Sequence, residues 1–157
     1  MGENIIVRCV PKLWAFGSMF PVVIGVVAGA ANGGNRALHD VYYTNTFFLY
    51  FLTLAGIFIV FAGAYHWFPK LTGYLYSEKL AQVHFWLMFV GVNLTLVPHL
   101  FFRFWSPLPG SAEASNTAEF WNSVSAIGAF ITMIGLGVFI IVVAEAFIRK
   151  RRTDNNE

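Results

Sequence analysis

The chain has 157 residues, of which 57% are hydrophobic and only 11% charged, with a formal net charge of +2 and a mean hydropathy of +0.63. Soluble domains are about half apolar and about a quarter charged, so this composition excludes an ordinary water-soluble fold. A single cysteine, Cys9, cannot form an internal disulfide.

The few charges are segregated. Residues 13–35, 41–69, 80–102 and 120–144 contain no Asp, Glu, Lys or Arg. Each window exceeds the roughly 20 residues a helix needs to cross a ~30 Å hydrocarbon core. The windows are continuously apolar rather than alternating, which disfavours the strands of a barrel. The expected fold is therefore an all-α membrane protein, one transmembrane domain over 1–157 with four spans at about 13–32, 43–68, 78–104 and 120–147.

An even number of spans places both termini on one side. That side holds Arg8, Lys12, Lys70, Lys79, Arg149, Lys150, Arg151 and Arg152, and the other only Arg36 and Arg103. Positive charge concentrates on the cytoplasmic side of membranes, so both termini are expected there, or in the matrix of a mitochondrion. Residues 1–12 lack the apolar core and small-residue cleavage site of a removable signal, and the first helix reads as an anchor that stays. Cys9 then lies on the reducing side and is expected to be inert.

In chain order, the first helix opens after Pro11 and is expected to stop in the glycine-rich Gly29-Ala-Ala-Asn-Gly-Gly34. Gly25 and Gly29, four apart, offer a face for close helix approach. An outer connection, residues 35–43, places Tyr42 and Tyr43 at headgroup level. The second span is expected to terminate at Trp67-Phe68-Pro69-Lys70, with Pro69 as the breaker and Lys70 as the inner-interface base. Ser77 is the expected cap of the third helix, which carries Asn93 and Thr95 at depth and Pro98 near its outer end. An intramembrane Asn must find a partner, so Asn93 is expected to face protein. Residues 106–117 form the one polar, turn-rich stretch. The fourth span leads into the basic tail 149–152, which membrane topology explains without nucleic acid.

Several segments in order carry a resemblance over about residues 12–149: Lys12-Leu-Trp-Ala-Phe-Gly17, His39-Asp-Val-Tyr-Tyr43, His66-Trp-Phe-Pro69, Gly73-Tyr-Leu-Tyr-Ser-Glu78, His84-Phe-Trp-Leu-Met-Phe-Val-Gly-Val-Asn-Leu-Thr95 and Trp121-Asn122. With these the chain resembles the last four transmembrane helices, nine to twelve, of subunit I of the heme-copper oxidases. In that family the tenth helix reads H-D-x-Y-Y-x-x-x-H-F-H-Y, and its two late histidines bind the irons of two hemes. Residues two apart on a helix point about 200° apart, so one helix between two hemes can ligate both. This chain has His39-Asp-Val-Tyr-Tyr-Thr-Asn-Thr-Phe-Phe-Leu-Tyr50, in register without a gap. Phe47 and Leu49 stand at the ligand positions, and neither has a lone pair for iron. The family's paired propionate-binding arginines fall near Gly110 and Ser111, and no Arg lies between Arg103 and the fourth span.

The resemblance implies that the family's copper ligands, its other heme ligand and most of its proton path belong to earlier helices that these residues do not supply. No heme, copper or catalytic residue is therefore expected on this chain alone; heme and copper are expected in partner subunits. His39 and Asp40 resemble part of a magnesium site in the family. A hard cation takes about six ligands, so two donors alone read as a polar turn at the membrane surface rather than as a metal site, and His39 and Asp40 stay only a weak metal candidate. His66, His84 and His99 read as interfacial or interhelical groups rather than ligands.

The leading expectation is a heme-free, non-catalytic structural or assembly subunit of a respiratory terminal oxidase in an energy-coupling inner membrane, mitochondrial or bacterial. Its partners would be other oxidase or supercomplex subunits and membrane lipids. A C-terminal piece of a catalytic subunit I encoded in two parts is the alternative. A small transporter or channel comes third, since its spans would carry more ionisable residues than His66 and His84.

Overall fold

The computed structural model describes the backbone over residues 9–32, 38–104 and 112–150, and side chains over 9–27, 51–96, 98 and 116–150. Four helices run in chain order: α1, Cys9–Asn32; α2, Leu38–Thr72; α3, Glu78–Phe104; and α4, Ala112–Arg149. Among the described residues, the stretches Cys9–Val27, Phe51–Thr72 and Asn116–Arg149 are long and apolar enough to cross a membrane. The chain divides into two compact units, residues 1–75 with 151–157, and residues 76–150.

The first unit pairs α1 with α2 antiparallel. Trp14 is fully buried, with ring centroids 5.1 Å from Phe58, 4.8 Å from Phe61 and 6.2 Å from Tyr65. Farther along, a Cβ built on Gly25 would stand 2.9 Å from the Cβ of Phe51. Gly25 thus serves the close approach its spacing suggested. Gly29 lies outside the described side chains. Pro21 and Ser18 are tolerated within α1; the Ser18 hydroxyl donates to the Ala15 carbonyl at 2.6 Å.

The expected stop at Pro69 needs correction, because α2 runs on to Thr72. Proline withdraws one N–H from the helix ladder, and in the last turn that single loss does not end the helix. The chain turns at Gly73 instead, whose φ of 70° closes the helix while its N–H donates to the Pro69 carbonyl at 2.9 Å. Thr72 assists, its hydroxyl donating to the Phe68 carbonyl at 2.7 Å and accepting from the Tyr74 N–H at 3.2 Å. Helix α2 also begins earlier than the expected span, at Leu38, so His39 to Tyr43 are helical rather than an irregular connection.

In the second unit Ser77 occupies the N-cap position of α3, its carbonyl accepting from the Ala81 N–H at 3.0 Å. Helices α3 and α4 then meet along glycines. A Cβ on Gly91 would lie 2.7 Å from the Thr132 nitrogen, and one on Gly128 would lie 2.5 Å from the Thr95 nitrogen. The two backbones touch, which suits helices that must associate without a hydrophobic driving force between them. The Ser125 hydroxyl crosses this seam to the Thr95 carbonyl at 3.1 Å. Asn93 finds its partner within its own helix, donating to the Phe89 carbonyl at 2.7 Å. At its far end α4 closes on Lys150, whose φ is 43° and whose N–H donates to the Ala146 carbonyl at 3.2 Å.

The connector before α3 carries one titration signature. Burial first, and the neighbouring Glu78 carboxylate second, push the Tyr76 phenol above its ordinary range. A raised phenol keeps its proton where an unfolded one loses it, so its contribution to stability is complete below about pH 10 and declines as pH rises beyond that. The difference in 295 nm absorbance between wild type and Tyr76→Phe should stay flat between about pH 10 and 11 in the folded protein. A full phenolate step in that interval would show Tyr76 to be freely titrating.

Candidate functional site

The middle of α2 is where sequence concentrates interest. Positions 39, 40, 47 and 49 all belong to the continuous helix Leu38–Thr72, and their side chains lie outside the described set. Helical register still separates the two central positions. Counting by 3.6 residues per turn, position 47 falls on the stripe continued by 51, 58 and 65, and position 49 on that continued by 53, 56, 60 and 67. Phe51, Phe58 and Tyr65 are buried, 1–3% exposed, in the seam with α1. Val60 and Trp67 are 69% and 60% exposed, and a Cβ on Gly56 would meet nothing within 4 Å.

One stripe is therefore occupied by helix packing within the first unit, and the other faces outward from it. Phenylalanine at 47 and leucine at 49 bring no donor atom to either stripe, so these residues do not fit an iron porphyrin as ligands. His39 and Asp40 occupy the first turn of α2 by backbone. Among the described residues no group of three or more His, Cys, Asp or Glu could hold a metal ion.

The described histidines sit elsewhere. His84 is fully buried in the second unit, its ring 5.2 Å from that of Phe139 across the α3–α4 seam. His66 is exposed near the end of α2, with its Nε2 3.2 Å from the Lys70 ammonium. His99 lies outside the described side chains. In α4, Glu145 pairs with Arg149 at 2.9 Å one turn on, a half-exposed pair that contributes about 0.3–0.5 kcal/mol. Sequence reasoning missed the glycine seam of the second unit, although Gly91 with Thr95 and Gly128 with Thr132 repeat the four-residue spacing noticed at Gly25.

Long apolar helices paired through glycine, with the Ser125, Thr95 and Thr132 hydroxyls bonded to carbonyls along the α3–α4 seam, define an α-helical multi-pass membrane protein. Residues 1–141 match the family described as "Cytochrome C and Quinol oxidase polypeptide I". Cytochrome c oxidase subunit 1 of Cereibacter sphaeroides is 34% identical over 149 residues, covering 93% of this chain. The chain belongs to the cytochrome c and quinol oxidase polypeptide I family, and with it to the multi-pass proteins of energy-coupling membranes. It spans about a quarter, 26%, of that relative's length.

Proposed function

We propose that this chain is a heme-free, non-catalytic subunit of a respiratory terminal oxidase, a subunit-I-like element that serves structure or assembly. The observation that carries this reading is Phe47 and Leu49 at the two positions where the family pattern calls for heme-ligating histidines. The lack of a donor atom on either side chain supports it, as does the absence of arginine near Gly110 and Ser111. His39 and Asp40 then act as polar residues of the first turn of α2. Both termini face the cytoplasm or matrix, where the basic residues concentrate. Heme and copper reside in partner subunits, and the retained seams give those subunits a familiar surface to assemble on.

The test is purification of the parent assembly followed by a count of hemes and of subunit-I chains. The expected result is a complete, heme-bearing subunit I alongside this chain, and no Soret absorbance from this chain expressed alone in heme-replete membranes. A stoichiometric heme abolished by His66→Ala, His84→Ala or His99→Ala would overturn the proposal. The 26% coverage of the bacterial relative keeps a second reading, a catalytic subunit I carried on two polypeptides. A partner that stops short of a complete subunit I yet brings its own ligand-bearing tenth helix would establish that reading instead.

A further inference from the structure

The last turns of α2 hold an arrangement that helix pairing leaves unused. His66 and Lys70 are exposed one turn apart, and on the adjoining stripe Trp67 and Leu71 are 60% and 83% exposed. The Lys70 ammonium donates to His66 Nε2 at 3.2 Å, so the imidazole proton of that pair sits on Nδ1. Two ammonium donors and one imidazole donor then remain, with no protein partner among the described residues. Charge points the same way. The described side chains of the first unit include two cations, Lys12 and Lys70, both exposed, and no carboxylate.

The apolar stretch Phe51–Thr72 ends at this turn, which sets the group at the boundary between hydrocarbon and water. An indole and a leucine there meet glycerol and upper acyl chain, while an unneutralised ammonium beside them meets headgroup. We infer that His66, Trp67, Lys70 and Leu71 form a binding site for one anionic phospholipid, its phosphate on the Lys70–His66 donors and its glycerol and acyl region along Trp67 and Leu71. Anionic rather than zwitterionic lipid is favoured because no described carboxylate of this unit would accept a choline or ethanolamine cation.

The inference is tested with the full chain reconstituted in phosphatidylcholine vesicles containing a minority of brominated phosphatidylglycerol or, in parallel, of brominated phosphatidylcholine. Subtracting the Trp67→Phe signal isolates quenching at Trp67, and the ratio between the two brominated lipids cancels depth. One interfacial cation enriches anionic lipid about fivefold, and that ratio is expected at Trp67. Lys70→Gln should return the ratio to one, and Lys70→Arg should preserve it. Trp86, 55% exposed on α3, provides the bulk reference by the same subtraction with Trp86→Phe. A wild-type ratio no higher than at Trp86, or one unchanged in Lys70→Gln, overturns the site. Loss of the enrichment on adding millimolar inorganic phosphate would assign the donors to a free anion and also overturn it. Far-UV circular dichroism confirms that the variants keep their helices; if Lys70→Gln loses them, wild type and Lys70→Arg against the Trp86 reference still decide.

Discussion

Gly128→Ala is expected to force α3 and α4 apart and to lower the stability of the second unit by about 1–3 kcal/mol. The added methyl would lie 2.5 Å from the Thr95 nitrogen and 2.7 Å from the Gly91 carbonyl oxygen. Both are backbone atoms of the facing helix, which no rotamer change can move. Separation would also stretch the bond from Ser125 to the Thr95 carbonyl, now 3.1 Å, the kind of interhelical contact that contributes about 0.6 kcal/mol in a bilayer. Two other glycines of α4 grade the effect. At Gly135 the new methyl meets the Met88 sulfur at 3.0 Å, a flexible end that can swing away, so Gly135→Ala should cost less. At Gly137 nothing lies within 4 Å, and Gly137→Ala should be neutral or gain up to about 1 kcal/mol of helix propensity. Unfolding in mixed micelles of increasing sodium dodecyl sulfate reads this order directly. If Gly128→Ala unfolds together with Gly137→Ala, backbone contact is not what joins α3 to α4.

That seam also shows what a sequence hides. Charge-free windows give four helices plainly, because crossing lipid is a constraint on one segment at a time. Pairing is a property of two segments. Gly25 could be singled out for its four-residue spacing, yet Gly91 and Gly128 carry the closer contact, and their partners in the spacing, Thr95 and Thr132, are not glycines. Each threonine returns its hydroxyl to a carbonyl four residues back, Gly91 and Gly128 respectively, both at 2.9 Å. The polar group is thereby satisfied within the helix and the residue behaves as a small one. Asn93 follows the same logic, answering to Phe89 rather than to another helix. Pro69 misled for the opposite reason: its chemistry is a strong stop in mid-helix and a mild one in the final turn, and only Gly73 could adopt the left-handed turn cheaply. At Phe47 and Leu49 the sequence speaks only through which atoms the side chains lack, neither carrying a lone pair for iron.

In the first unit the largest effect is expected from Trp14→Ala. Its ring is the one fully buried indole among the described residues, held between Phe58 edge-on at 61° and Tyr65 nearly parallel at 19°, with Phe61 4.8 Å away. Truncating a large aromatic in an aqueous core costs about 3–5 kcal/mol. In lipid the share due to removing surface from water is absent, while the lost dispersion contacts and the cavity remain, so about 2–3 kcal/mol is expected here. Trp14→Phe, which refills most of the volume without a polar edge, should cost less than about 1.5 kcal/mol. Phe16 is the internal comparison. It is equally aromatic and only two residues away, but that step turns it about 200° around α1, where it is 71% exposed. Phe16→Ala should leave hairpin stability within about 0.5 kcal/mol of wild type. The same detergent titration, followed by near-ultraviolet circular dichroism of the aromatic cluster, separates the two. Equal losses at 14 and 16 would mean that α1 does not meet α2 through the face carrying Val10 and Trp14, and the stripe shared by Phe51, Phe58 and Tyr65 would then need another occupant.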